Sequence, residues 1–105
     1  MKNLADIMKQ AGQMQARMAD MQKRLEATSV EGQSGGGLVK VTMTGKSVVT
    51  GVAIDPSLIK VDEKEILEDL IVAALNDAKS KAEAIMAVEM KTVTGGLPIP
   101  PGFGL

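Results

Sequence analysis

Over the first thirty positions apolar side chains return at heptad spacing. Leu4, Ala11, Met18 and Leu25 share one position, and Ile7, Met14 and Met21 share another. Two such rows, three and four residues apart, lie on one side of a helix. The pattern predicts a helix within 1–28, and its best stretch, 3–27, is about 37 Å long at 1.5 Å per residue. Gly12 is the weak point, costing up to about 1 kcal/mol relative to alanine if exposed. The stripe is longer than the rest of a 105-residue chain can cover. It therefore needs a partner helix, from later in the chain or from another subunit.

The period then changes to two. Leu38 to Thr44 alternates, with Val39, Val41 and Met43 on one face and Leu38, Lys40, Thr42 and Thr44 on the other. Gly45-Lys46 supplies a turn, and Val48, Thr50, Val52 and Ile54 alternate up to Asp55-Pro56, where proline ends the ladder. Ser29 to Gln33 is a third, weaker strand. Together 29–55 reads as a three-stranded antiparallel meander. A second helix is predicted over 62–92, opened by Asp62 and Glu65 as a capping box. Ile66, Leu67, Leu70, Ile71, Ala74, Leu75, Ala78, Ala82, Ile85 and Met86 continue its apolar face to about Met90. Gly95-Gly96 stops it. The remainder, 95–105, carries Pro98, Pro100 and Pro101 and reads as an extended tail. The expectation is a single α+β domain over 1–105, acting as a homodimer.

Composition narrows what such a domain can do. The chain has no cysteine and no histidine, which removes disulfides, thiolate nucleophiles, imidazole bases and the usual zinc ligands together. Phe103 is the single aromatic residue beside eight methionines, so a base-stacking platform for single strands cannot be built. The N-terminus is polar, with no secretory h-region, and no apolar run is long enough for a bilayer. These features place the protein in the cytoplasm, with no membrane partner.

Candidate chemistry adds little. Gly45-Lys46-Ser47 matches the end of a P-loop, yet the required glycine five positions earlier is Lys40, and the segment joins two strands instead of leading into a helix. Gly35-Gly36-Gly37 precedes no helix start and reads as a strand connection. Asp62, Glu63, Glu65, Glu68 and Asp69 suit a helix N-terminus for dipole reasons and lack EF-hand spacing. No pair of carboxylates is placed for acid–base work. No enzyme activity, cofactor, metal or small-molecule substrate is expected. The methionine stripe reads first as a helix–helix seam, then as an adaptable groove for partner peptides.

Charge is the informative feature. The formal net charge is −1, but 1–25 holds five basic and two acidic side chains, a local +3, while 55–70 holds two basic and six acidic, a local −4. Lys2, Lys9 and Lys23 share one heptad position and Arg17 and Arg24 its neighbour, away from the apolar rows. Such a face is either merely solvated or a ridge for phosphate backbone, which needs charge but no base-reading groups.

Four stretches carry a resemblance. Gly36-Gly37-Leu38-Val39-Lys40-Val41-Thr42, Val52-Ala53-Ile54-Asp55-Pro56-Ser57-Leu58, Leu67 through Ala78, and Leu97-Pro98-Ile99-Pro100-Pro101-Gly102-Phe103 resemble the YbaB/EbfC family of bacterial nucleoid-associated proteins. The resemblance implies a tweezer-shaped dimer that binds duplex DNA and alters its conformation, with roles in nucleoid organisation and gene regulation. The glycine-rich leader of some members is missing, and Leu75 stands where an aromatic is frequent.

The family offers no contact motif, so the expected DNA-binding residues follow from charge: Lys2, Lys9, Arg17, Lys23 and Arg24, with Lys79, Lys81 and Lys91 near the end of the second helix. Leu4, Ile7, Met14, Met18, Met21 and Leu25 are expected to pack helix on helix. The competing reading is an adaptor module that docks proteins through the methionine seam or the proline tail.

Overall fold

The computed structural model describes residues 3–94. Its elements are α1 (Leu4–Ala27), β1 (Ser29–Ser34), a 3-10 turn (Gly35–Gly37), β2 (Val39–Thr44), β3 (Val49–Ile54), two further 3-10 turns (Pro56–Leu58 and Val61–Glu63) and α2 (Lys64–Thr94). The strands form one antiparallel sheet in the order β1-β2-β3. This is the α+β arrangement of helix, meander and helix that the periodicities predict. The tail over 95–105 and Lys2 lie outside the described residues.

Each helix start has a local cause. Asn3 caps α1, its side chain accepting from the Asp6 N–H at 2.9 Å. Asp62 is not the cap of α2: it lies inside the 3-10 turn Val61–Glu63 that leads directly into the helix. Asp55 caps the turn over Pro56–Leu58 by accepting from the Ser57 N–H at 2.9 Å. That hydrogen bond holds its carboxyl below the usual range.

The sheet packs on α2 through residues of one pleat face. Val39, Val41 and Met43 of β2 are buried against Ala74, Ala78 and Ala82, with Leu58 closing one side. Burying a valine of this kind contributes roughly 1.5–3 kcal/mol. The three alanines let α2 approach β1 so closely that a Cβ on Gly32 would lie 2.7 Å from the Ala78 Cβ, and nearer still to backbone atoms of Ala74 and Ala78. On β3 the simple alternation fails. A bulge opposite Met43 shifts the register, so Val49 in place of Thr50 pairs with Met43.

α1 joins this body at the β2–β3 turn. The Gly45 N–H donates to the carbonyls of Leu25 and Thr28 at 3.0 and 3.1 Å. A Cβ on Gly45 would meet Leu25 Cδ2 at 2.9 Å, so this glycine serves close approach. The left-handed residue of the turn is Ser47, at φ 66°. A second cluster, Met21, Leu25, Met90 and Val93, seals α1 against the end of α2, with Met14, Met18, Ile85 and Met86 at its margin.

The packing divides the six expected seam residues. Met14, Met18, Met21 and Leu25 pack within the chain. Leu4 and Ile7 remain 71% and 54% exposed, as does Met8 at 65%. Every residue from 3 to 13 is exposed, so the first half of α1 is an arm that packs on nothing among the described residues. The molecule is accordingly long, 70 × 25 × 17 Å with a radius of gyration of 19.3 Å, whereas a compact chain of this length has about 13 Å.

Candidate nucleic-acid interface

α1 carries the cations of interest. At 100° per residue, Lys9 and Lys23 fall opposite the Met14–Met18–Met21–Leu25 side of α1, and Arg17 sits on a flank. All three are exposed and have no ion-pair partner among the described residues. Lys9 and Lys23 are about 21 Å apart along the axis. Arg17 lines a shallow cleft with Asp20, Arg24, Thr92 and Val93. Because Arg24 instead meets Glu89, the earlier α1 residue faces the later α2 residues, and the two helices run antiparallel.

Other predicted cations are placed differently. Arg24 donates to Glu89 Oε2 from Nη2 at 2.7 Å and from Nε at 3.1 Å, so its charge is already spoken for. Lys79 reaches Glu83 at 4.0 Å one helical turn on. Lys81 is bound to Asp77 at 3.2 Å and donates to the Glu31 carbonyl at 2.8 Å. Lys91 is exposed near the end of α2, on the arm side. Lys40, absent from the expected set, is exposed on the outer face of β2, opposite buried Val39 and Val41. The period-two pattern places a cation there.

The acidic group occupies the other end of α2. Asp62, Glu63, Glu65, Glu68 and Asp69 crowd its start, about 40 Å along the helix from Glu89. α1 packs on the opposite end of α2 from this acidic group. Among the described residues no group of three or more Asp, Glu, His or Cys could hold a metal ion, and no helix is long and apolar enough to cross a membrane.

A long N-terminal helix, a three-stranded antiparallel sheet and a second long helix define a class of small α+β proteins. The comparisons agree with that class. A solved structure titled as an uncharacterized protein from Helicobacter pylori superposes with a TM-score of 0.75 at 21% identity, covering 93% of this chain and 100% of that one. At that identity the match shows the fold. A protein named nucleoid-associated protein in Rhodopseudomonas palustris strain TIE-1 is 57% identical over 105 residues, 100% of this chain and 99% of its own. One of the same name in Brucella ovis is 53% identical, with 100% and 98% covered. The model of the YbaB/EbfC DNA-binding family matches residues 1–97. The chain belongs to that family.

Proposed function

We propose that the protein is a non-enzymatic, homodimeric nucleoid-associated protein of the bacterial cytoplasm. It binds duplex DNA mainly through the phosphate backbone and alters its conformation. The observation that carries the reading is α1: Lys9, Arg17 and Lys23 project from it with no acidic partner among the described residues. Family membership supports DNA as the ligand, and the names of the relatives support the nucleoid. Three cations are too few alone. A dimer supplies six, and neutralising about six phosphates gives a log–log salt slope near −5 and a loss of roughly 10³-fold in affinity between 50 and 200 mM salt.

Lys2 is a further candidate by its place in the sequence. Arg24, Lys79 and Lys81 have partners within the chain and Lys91 is engaged as well, so these four add less. Changing Lys9, Arg17 and Lys23 together to Glu should abolish gel shifts of duplex DNA at unchanged dimer mass. Shifts that persist in the triple variant would remove α1 from the interface. The exposed Leu4, Ile7 and Met8 favour the adaptor reading, and that reading stands if the wild type shows no duplex binding even at low salt.

A further inference from the structure

Five of the chain's eight methionines stand in one seam. Met21 and Met90 are buried between α1 and the end of α2, while Met14, Met18 and Met86 form its half-buried margin. Thioether side chains suit such a seam because they are flexible and polarisable. They are also the groups in this chain that a peroxide attacks. Peroxides oxidise thiols and thioethers, and with no cysteine present the thioethers receive that chemistry.

Two other described methionines lie elsewhere. Met8 is on the part of α1 that packs on nothing among the described residues, so a polar group there disturbs no packing. Met43 is buried in the core between the sheet and α2, shielded while the domain is folded. The seam combines access with consequence. Its margin meets solvent, and its interior holds Leu25 and Val93, whose side chains offer no donor to a new oxygen. Outside the seam, α1 is held at its C-terminal end by the Gly45 N–H and by the exposed pairs Arg24–Glu89 and Lys46–Glu26, and exposed pairs contribute little.

We propose that the methionine seam is a peroxide-sensitive latch: oxidation of Met14, Met18 and Met86 frees α1 from α2 and weakens duplex binding. The regulatory part rests on the DNA-binding reading above. At each thioether the sulfur takes one oxygen from hydrogen peroxide. An S–O bond forms, the O–O bond breaks and water leaves, the sulfur being oxidised by two electrons and the peroxide reduced. Burying the sulfoxide oxygen without a donor is costly, so the oxidised side chain turns out to water. Its place in the packing empties, and Met21 and Met90 are exposed to the same reaction. α1 then pivots at the Gly45 turn, and Lys9 and Arg17, the cations furthest from that pivot, lose their fixed position. Reductases specific for each sulfoxide epimer restore the thioether, which makes the latch reversible.

Treating the wild type and a Met14→Leu, Met18→Leu, Met86→Leu triple variant with hydrogen peroxide tests this. Leucine is close to methionine in volume and has no sulfur to oxidise. Peptide mass spectrometry locates the sulfoxides, and amide exchange and duplex gel shifts are read on the same samples. Wild type oxidised at the three margin positions, with Met43 still a thioether, should exchange its amides over 14–24 about tenfold faster than before, with β2 unchanged. Its duplex affinity should fall about fivefold, the cost of ordering freed side chains again on binding, and return after both reductases. The triple leucine variant should keep its exchange and its affinity through the same dose. Unchanged exchange over 14–24 in wild type oxidised at all three positions would overturn the latch. An equal loss of affinity in the leucine variant would overturn it too, by placing the sensitive methionine outside the margin. Faster exchange at unchanged affinity would overturn the control of DNA binding. If untreated wild type binds no duplex even at low salt, the DNA-binding reading fails and exchange alone decides the latch. If the leucine variant does not fold, recovery of the wild type by the reductases decides.

Discussion

The backbone N–H of Gln33 donates to the carboxylate of Asp77 at 3.0 Å, 44 positions away in sequence. This bond first, and the Lys81 ammonium second, hold the Asp77 carboxyl below its usual range. A carboxyl depressed in the folded state contributes stability that is complete above its unfolded value of about 3.9 and is lost as pH falls through the folded value. The Gln33 amide should therefore lose exchange protection in acid, below about pH 4. Asp77→Asn should remove that dependence while the part due to Asp55, whose carboxyl is also depressed, persists. An unchanged acid profile at Gln33 in Asp77→Asn would show that this bond does not close the β1 edge.

If that closure limits assembly, opening it should extend assembly. Asp77→Ala with Lys81→Ala exposes the outward groups of Glu31 and Gln33 on β1. Sedimentation should then show species larger than a dimer, growing with concentration. A double variant that stays dimeric at every concentration would mean that β1 is guarded by something other than these two side chains.

Gly32 faces α2 with no room for a side chain. Its added Cβ would meet backbone atoms of Ala74 and Ala78, which cannot rotate away. Gly32→Ala should cost about 3 kcal/mol, read as a lower urea midpoint, whereas Gly51→Ala, with open space around its Cβ, should cost far less. Equal midpoints for the two variants would contradict the close approach of α2 to β1.

How legible this was follows from the same residues. The helices and β2 were readable because their burial is one-sided, so Met21, Leu25, Val39 and Val41 stand at regular periods. β1 carries almost no apolar signal, because Gly32 fills its buried place and the stripe that covers it is alanine. A signal was present in Ala74, Ala78 and Ala82, spaced by four, which marks a helix face meant for close approach. The β3 bulge left no trace, since Val48 and Val49 are both apolar. Lys9 and Lys23, away from the apolar rows in the heptad, lie opposite the packed methionine side of α1, whereas Arg17 sits beside Thr92 and Val93. The spacings Asp77–Lys81 and Lys79–Glu83, four residues each, already offered those lysines partners, whereas the bond from Lys81 to the Glu31 carbonyl, distant in sequence, left no sign.

Arg24 gives a way to change DNA affinity without touching a cation. Its guanidinium is tied to Glu89 at 2.7 Å on an exposed surface, where such a pair contributes little to stability. Glu89→Gln should release Arg24 toward phosphate, tighten duplex binding at low salt and steepen the salt slope by about one per protomer. The melting temperature should barely move. An unchanged slope would place Arg24 outside the DNA path.

The free half of α1 should behave as a nearly isolated helix, and its order should set DNA affinity. Asn3 caps it, and Gly12 sits in its middle with nothing within 4 Å of an added Cβ. Asn3→Ala should therefore cost about 1 kcal/mol of helix stability, and Gly12→Ala should add up to about 1 kcal/mol. Because residues 3–13 pack on nothing among the described residues, both effects should be seen in amide exchange over that stretch and not in the global urea midpoint. Lys9 rides on the same turns, about 12 Å along the axis from Arg17, so fraying costs the ridge its fixed spacing. Gly12→Ala should then bind duplex DNA more tightly than wild type, and Asn3→Ala more weakly. Binding that ignores both substitutions while exchange responds to both would mean that DNA orders the arm regardless of its intrinsic helicity, or does not use it.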